Sequence, residues 1–166
     1  MTVQFEEMFP ADWARALAAA PIAYLPLGVL EWHGEHNAIG LDALKAHAVC
    51  VRAAEISGGI VVPPLYWATD TREDLADGSY LTGGIEHGER YHVPGSMFWI
   101  RPETFRELLL DIYETMRRRG FRVIVVVAGH WSGLEEAASG RNQRPGAPTR
   151  FRREILEIRT YHVVHG

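Results

Sequence analysis

Arg122-Val123-Ile124-Val125-Val126-Val127 shows no alternation of apolar and polar residues, so a strand built from it must be covered on both faces. Ile22-Ala23-Tyr24-Leu25-Pro26-Leu27-Gly28 has the same character, and Ile60-Val61-Val62 is a shorter run ended by Pro63-Pro64. Helical stretches alternate with these runs. One opens at Pro10 and stops before Pro21; a second follows Asp42, reaches about Ile56 and closes on Gly58-Gly59. The third opens at Pro102 and ends at Gly120, with Phe105, Leu108, Leu109, Ile112 and Met116 at helical spacing. Buried strands alternating with helices predict an α/β fold with a mostly parallel central sheet. Residues 65–100 carry many breakers (Asp77-Gly78, Gly83-Gly84, Pro94-Gly95) and read as one long irregular segment.

Both long apolar runs lead into polar loops. Glu31-Trp32-His33-Gly34-Glu35-His36-Asn37-Ala38-Ile39-Gly40-Leu41-Asp42 follows the first, and Ala128-Gly129-His130-Trp131-Ser132-Gly133 follows the last. In open α/β sheets ligands sit outside the carboxyl ends of the strands. Glu31 and His33 stand two apart, so extended backbone points both the same way. Asp42 reads either as the N-cap of the second helix or as a third member of that group. His130 ends the strongest strand on a glycine-bracketed turn. Carboxylates and imidazoles gathered in two such loops are the donors of a borderline divalent ion, which points to a metal-dependent hydrolase.

Composition narrows the alternatives. A net charge of −4 argues against a nucleic-acid or anionic-membrane partner. Cys50 is the only cysteine, which leaves neither an intrachain disulfide nor a thiolate zinc cluster. Met1–Phe9 has no basic region before an apolar core, and no apolar run reaches membrane-spanning length, so a cytoplasmic protein is expected.

Leu25-Pro26-Leu27-Gly28-Val29-Leu30-Glu31-Trp32-His33-Gly34-Glu35-His36, with Ile39-Gly40-Leu41-Asp42, resembles without a gap the creatininase-family run LPxGxxEQHGPHLPLGTD. Val93-Pro94-Gly95-Ser96 before Pro102-Glu103-Thr104-Phe105 resembles that family's FPGT segment. Val126-Val127-Ala128-Gly129-His130-Trp131-Ser132-Gly133 resembles its strand leading into NGHGGN. The resemblance runs from residue 24 to 133 of a single domain spanning 1–166; residues 134–166 are unmatched, and the domain is expected to be shortened on its C-terminal side.

The resemblance implies a three-layer α/β/α sandwich and two divalent ions (zinc, manganese or iron). Glu31, Asp42 and His130 would hold one ion and His33 with Asp42 the other, Asp42 bridging. Catalytic roles fall to Glu31 and to His36, the latter orienting a ligand carboxylate. The implied reaction is hydrolysis of a non-peptide C–N bond in a small cyclic amide or formamide. The implied partners are a small-molecule substrate and further copies of the chain, as a hexamer. Two departures stand out. Ser132 occupies the position where some relatives carry a second-metal carboxylate, and nothing after Gly133 resembles HAGExET, from which others supply one. Glu135 and Glu136 are the nearest replacements. The departures leave open an impaired relative that keeps one metal and serves in binding or assembly.

The remaining residues carry weaker signals. Trp32, Trp67, Trp99 and Trp131 read as core or as walls for a flat ligand. His47, His87, His92, His162 and His165 read as surface groups, and Arg141, Arg144, Arg150, Arg152 and Arg153 as a solvated or subunit-facing basic run.

Overall fold

The computed structural model describes residues 2–69, 72–82, 85–86, 89–90 and 98–130. Its centre is a parallel sheet of three strands, β1 (Ile22–Leu27), β2 (Ile60–Val61) and β7 (Val123–Ala128), in the order β2-β1-β7. β1 pairs with β7 along its whole length, from Ile22 opposite Val123 to Leu27 opposite Ala128. Its pairing with β2 covers only Ala23–Ile60 and Tyr24–Val61.

Pro26 lies in this central strand although it has no N–H for a ladder. Its carbonyl accepts from Leu65 N–H, so its nitrogen faces the β2 side. There the ladder has already broken at Pro63-Pro64, after Val62 N–H bonds the Tyr24 carbonyl. The missing donor therefore falls where a regular partner strand has ended.

Period-two alternation divides the strand side chains between two cores. Ala23, Leu25, Leu27, Ile124, Val126 and Ala128 point to one face. There they meet Trp13, Ala16 and Leu17 of α1 (Pro10–Ala19) and Phe105, Leu109, Tyr113 and Met116 of α3 (Pro102–Arg118). Tyr24, Val61, Val125 and Val127 point to the other face, against Cys50, Val51 and Ala54 of α2 (Leu41–Ser57). Helices on both faces of a parallel sheet make this an α/β fold of three layers, as expected. Burying one side chain the size of Phe105 contributes about 1.5–3 kcal/mol, and the two cores together hold the layers in register.

Helix α3 differs in one respect from its expected face. Leu108 is 43% exposed, whereas Tyr113 is buried. The buried stripe runs through Phe105, Leu109, Tyr113 and Met116, and Leu108 falls at its margin.

The expectation of one irregular segment over 65–100 is corrected. Within it β3 (Arg72–Asp74) pairs antiparallel with β4 (Tyr80–Thr82), and β5 (Ile85–Glu86) with β6 (Glu89–Arg90). Asp77 and Gly78 form the first turn: Asp77 Oδ1 accepts from Ser79 N–H at 2.9 Å and from Ser79 Oγ at 2.6 Å, while Gly78 has φ +85°. Strands of two or three residues are too short to show a period, which is why breakers dominated the reading. Among the described residues no helix is long and apolar enough to cross a membrane.

Candidate metal centre

The chain leaves β1 towards β2 through α2 on one face and reaches β7 through α3 on the other. The carboxyl ends of β1 and β7 thus flank a switch of direction, where open α/β sheets form a crevice. Two glycines let α2 descend into it. A Cβ on Gly28 would strike the Ala43 backbone, and one on Gly129 would strike the Asp42 carbonyl. Gly129 N–H also bonds the Leu27 carbonyl at 2.8 Å, tying the two strand ends together. The expected tight turn at Gly129 is therefore, more specifically, a close approach of two backbones.

Asp42 is not the N-cap of α2. The helix begins at Leu41 with Gly40 in the capping position, and no side chain caps it. Asp42 lies within the first turn, 2% exposed, with its carboxylate directed at the loops after β1 and β7. The loop carrying Glu31 and His33 is closed by Glu31 N–H to the Ile39 carbonyl at 3.1 Å and by Asn37 Nδ2 to the His33 carbonyl at 3.0 Å.

Four side chains of the expected set converge. His130 Nδ1 is 2.9 Å from Glu31 Oε1 and 3.0 Å from Asp42 Oδ2. His33 Nε2 is 3.3 Å from Glu31 Oε1 and 3.2 Å from Asp42 Oδ1. Glu31, Asp42 and His130 each offer a ligand atom, all within 4.8 Å of one another.

The tautomer of His33 follows from its surroundings. Its Nδ1 lies 3.2 Å from the Glu31 carbonyl, which only accepts, so Nδ1 carries the proton. A neutral ring then turns the Nε2 lone pair towards two carboxylate oxygens. Only a proton or a metal cation relieves that encounter, and a histidine held by a backbone carbonyl through its other nitrogen is the usual arrangement of a metal ligand. The donor set thus fits a divalent ion.

Burial alone would push the Asp42 carboxyl up. The hydrogen bond with His130 and the electrostatic pull of the His33 and His130 imidazoles outweigh it, holding the group below the ordinary aspartate value. Asp42 is therefore anionic at neutral pH.

His36 is not brought into this group: it is exposed, and its ring lies against Gly34. Gly34 has φ +87°, and that reversal ends the alternation which had placed Glu31 and His33 on one side. Lys45 was not anticipated. Its Nζ stands 3.3 Å from Asp42 Oδ1, one helical turn along α2. An Asp and a Lys three apart at a helix start look like any surface pair, so the sequence offered only that weak signal.

Of the other residues singled out, His47 is partly buried in α2, and Trp32 and Trp99 are partly buried. Trp67 is 61% exposed, its ring 5.7 Å from that of Phe98. His87, His92, Trp131, Ser132, Glu135, Glu136, the arginines from Arg141 to Arg153, His162 and His165 lie outside the described residues.

A sequence model of the creatininase family, described as creatinine amidohydrolase, matches residues 6–144. A creatinine amidohydrolase of Pseudomonas putida is 30% identical over 118 residues, which are 71% of this chain and 40% of that protein. Among solved structures, a creatininase variant of Zn-Zn type is 27% identical with a TM-score of 0.66, covering 83% of this chain and 48% of that one. A manganese creatininase has the same identity and TM-score, with 83% and 49% covered. The chain spans less than half the length of each of these relatives.

Proposed function

This chain belongs to the creatininase family, and from that premise we propose that it is a metal-dependent amidohydrolase opening a non-peptide C–N bond in a small cyclic amide or formamide. The observation that carries the reading is the convergence of Glu31, His33, Asp42 and His130 from two loops onto one crevice. Creatinine and compounds like it are the first substrates to consider, since the family is described as creatinine amidohydrolase and the Pseudomonas putida relative is one.

Glu31, Asp42 and His130 would hold a divalent ion, with His33 presenting Nε2 beside them. Zinc and manganese are the leading candidates, because related creatininases carry them. Such an ion acidifies water and polarises the scissile carbonyl. The protein's own share is positioning. The Glu31 carbonyl fixes the His33 ring, and burial keeps Asp42 from being hydrated while its imidazole partners keep it ionised. The Glu31 side chain is only 14% exposed, and its carboxylate oxygen not held by the ion would be placed to take a proton from water. His36, exposed on the same loop, would meet substrate from the solvent side. Self-association into a hexamer belongs to the same proposal.

The test is hydrolysis of a panel of cyclic amides and N-formyl compounds by chelator-treated and metal-reloaded protein, followed by product chromatography. Turnover should appear on reloading with zinc or manganese. It should fall about a hundredfold or more in Asp42→Asn, which removes an anionic ligand while keeping the shape. Bound metal without hydrolysis of any compound in the panel would contradict the reading and favour a relative that binds but does not catalyse.

A further inference from the structure

Asp42 divides its two oxygens unequally. Oδ2 faces His130 Nδ1 at 3.0 Å, while Oδ1 faces both His33 Nε2 at 3.2 Å and Lys45 Nζ at 3.3 Å. If Asp42 bridged two ions, Oδ1 and His33 Nε2 would be the pair presented to the second. The Lys45 ammonium already stands on that oxygen. We propose that Lys45 is the built-in second cation of this centre, so that the chain takes one divalent ion, on Glu31, Asp42 and His130, where a bridged pair would otherwise form. The inference rests on the metal-binding reading above and sharpens it.

Charge supports the assignment. Glu31 and Asp42 bring two negative charges, and Lys45 already offsets one of them. One divalent ion then leaves the group a single positive charge in excess, an excess that a bound anion or ionised water balances. A second ion would leave three, packed within a few ångströms around a carboxylate that is 3% exposed. Three protein ligands with an open position is also a complete catalytic zinc arrangement, so one ion suffices for hydrolysis.

Geometry makes Lys45 the group able to play this part. It lies one turn beyond Asp42 on α2, so the helix itself sets the distance between ammonium and carboxylate. Its side chain is 47% exposed and takes no part in the core. Replacing it therefore leaves the fold intact, and methionine matches it in length and helix propensity.

The experiment is calorimetric titration of zinc or manganese into chelator-stripped wild type, Lys45→Met and Lys45→Arg. Wild type and Lys45→Arg should bind one ion per chain. Lys45→Met should bind a second, or bind it at least about tenfold more tightly than wild type does. Two equally tight ions in wild type would overturn the role of Lys45 while leaving the hydrolase reading standing. One ion in all three proteins, with unchanged affinity, would overturn it as well. No ion in any of them would overturn both readings.

Discussion

Asp42 concentrates the chemistry of this chain in one carboxylate, at once nearly inaccessible to solvent and surrounded by His33, Lys45 and His130. Its carboxyl is held below the ordinary aspartate value, so folding favours the ionised form. The stability this confers is present above the ordinary aspartate value and is lost as pH falls through the lower folded one. Metal-free Asp42→Asn should accordingly show a shallower loss of stability with acid than metal-free wild type, measured by urea unfolding at several pH values. Coincident acid limbs would contradict the assignment. His130→Ala should abolish tight metal binding with little change in fold, because the residue stands on a loop past the end of β7; retained binding would detach the second loop from the centre. At this scale the sequence was informative where local geometry is simple. The two-residue spacing of Glu31 and His33 does bring both side chains to one side, with Nε2 3.3 Å from Oε1. His36 sits three further on and looks equivalent on paper, but the positive φ of Gly34 turns it to solvent. Such a reversal is invisible without coordinates.

At the level of elements, the centre depends on how closely α2 can approach the sheet. Among the described residues, Gly28 and Gly129 are the places where a methyl group would collide with the first turn of that helix. Gly129→Ala must push the Asp42 backbone away, so it should destabilise the protein by about 1–3 kcal/mol and weaken metal binding together. Gly78→Ala is the control. Its Cβ meets nothing, and only the φ of +85° is strained, which costs about 1–2 kcal/mol and leaves the metal centre alone. Thermal melts alongside metal titration separate the two, and a Gly129→Ala protein with normal metal affinity would contradict this account of the glycine. Glycine was legible in the sequence at both positions, but its purpose was not: a tight turn and a close backbone contact leave the same letter. The two long strands were legible as unbroken apolar runs, and the three described α-helices by their Pro and Gly boundaries, with α3 showing its helical period as well. The hairpins between Arg72 and Arg90 were not, since their strands are too short to establish one.

For the molecule as a whole, the order β2-β1-β7 is decisive. It brings a loop near residue 31 and a loop near residue 130 to the same edge, a juxtaposition that a parallel sheet makes plausible and only the strand order fixes. The core behind that edge is closed. Cys50 is fully buried on the α2 face, and burial pushes its thiol up to about 12. Native protein at pH 8 should therefore resist thiol reagents and become reactive only as it unfolds, which gives a probe of global stability; rapid labelling of the native chain would show that the α2 layer opens locally. The claim on which the rest depends is that Glu31, Asp42 and His130 hold a metal between them. Its most direct test is an anomalous difference map from crystals grown with zinc or manganese, recorded on either side of the metal's absorption edge. The account predicts a strong peak within bonding distance of all three side chains. A map with no peak there, from protein shown to carry metal in solution, would contradict it.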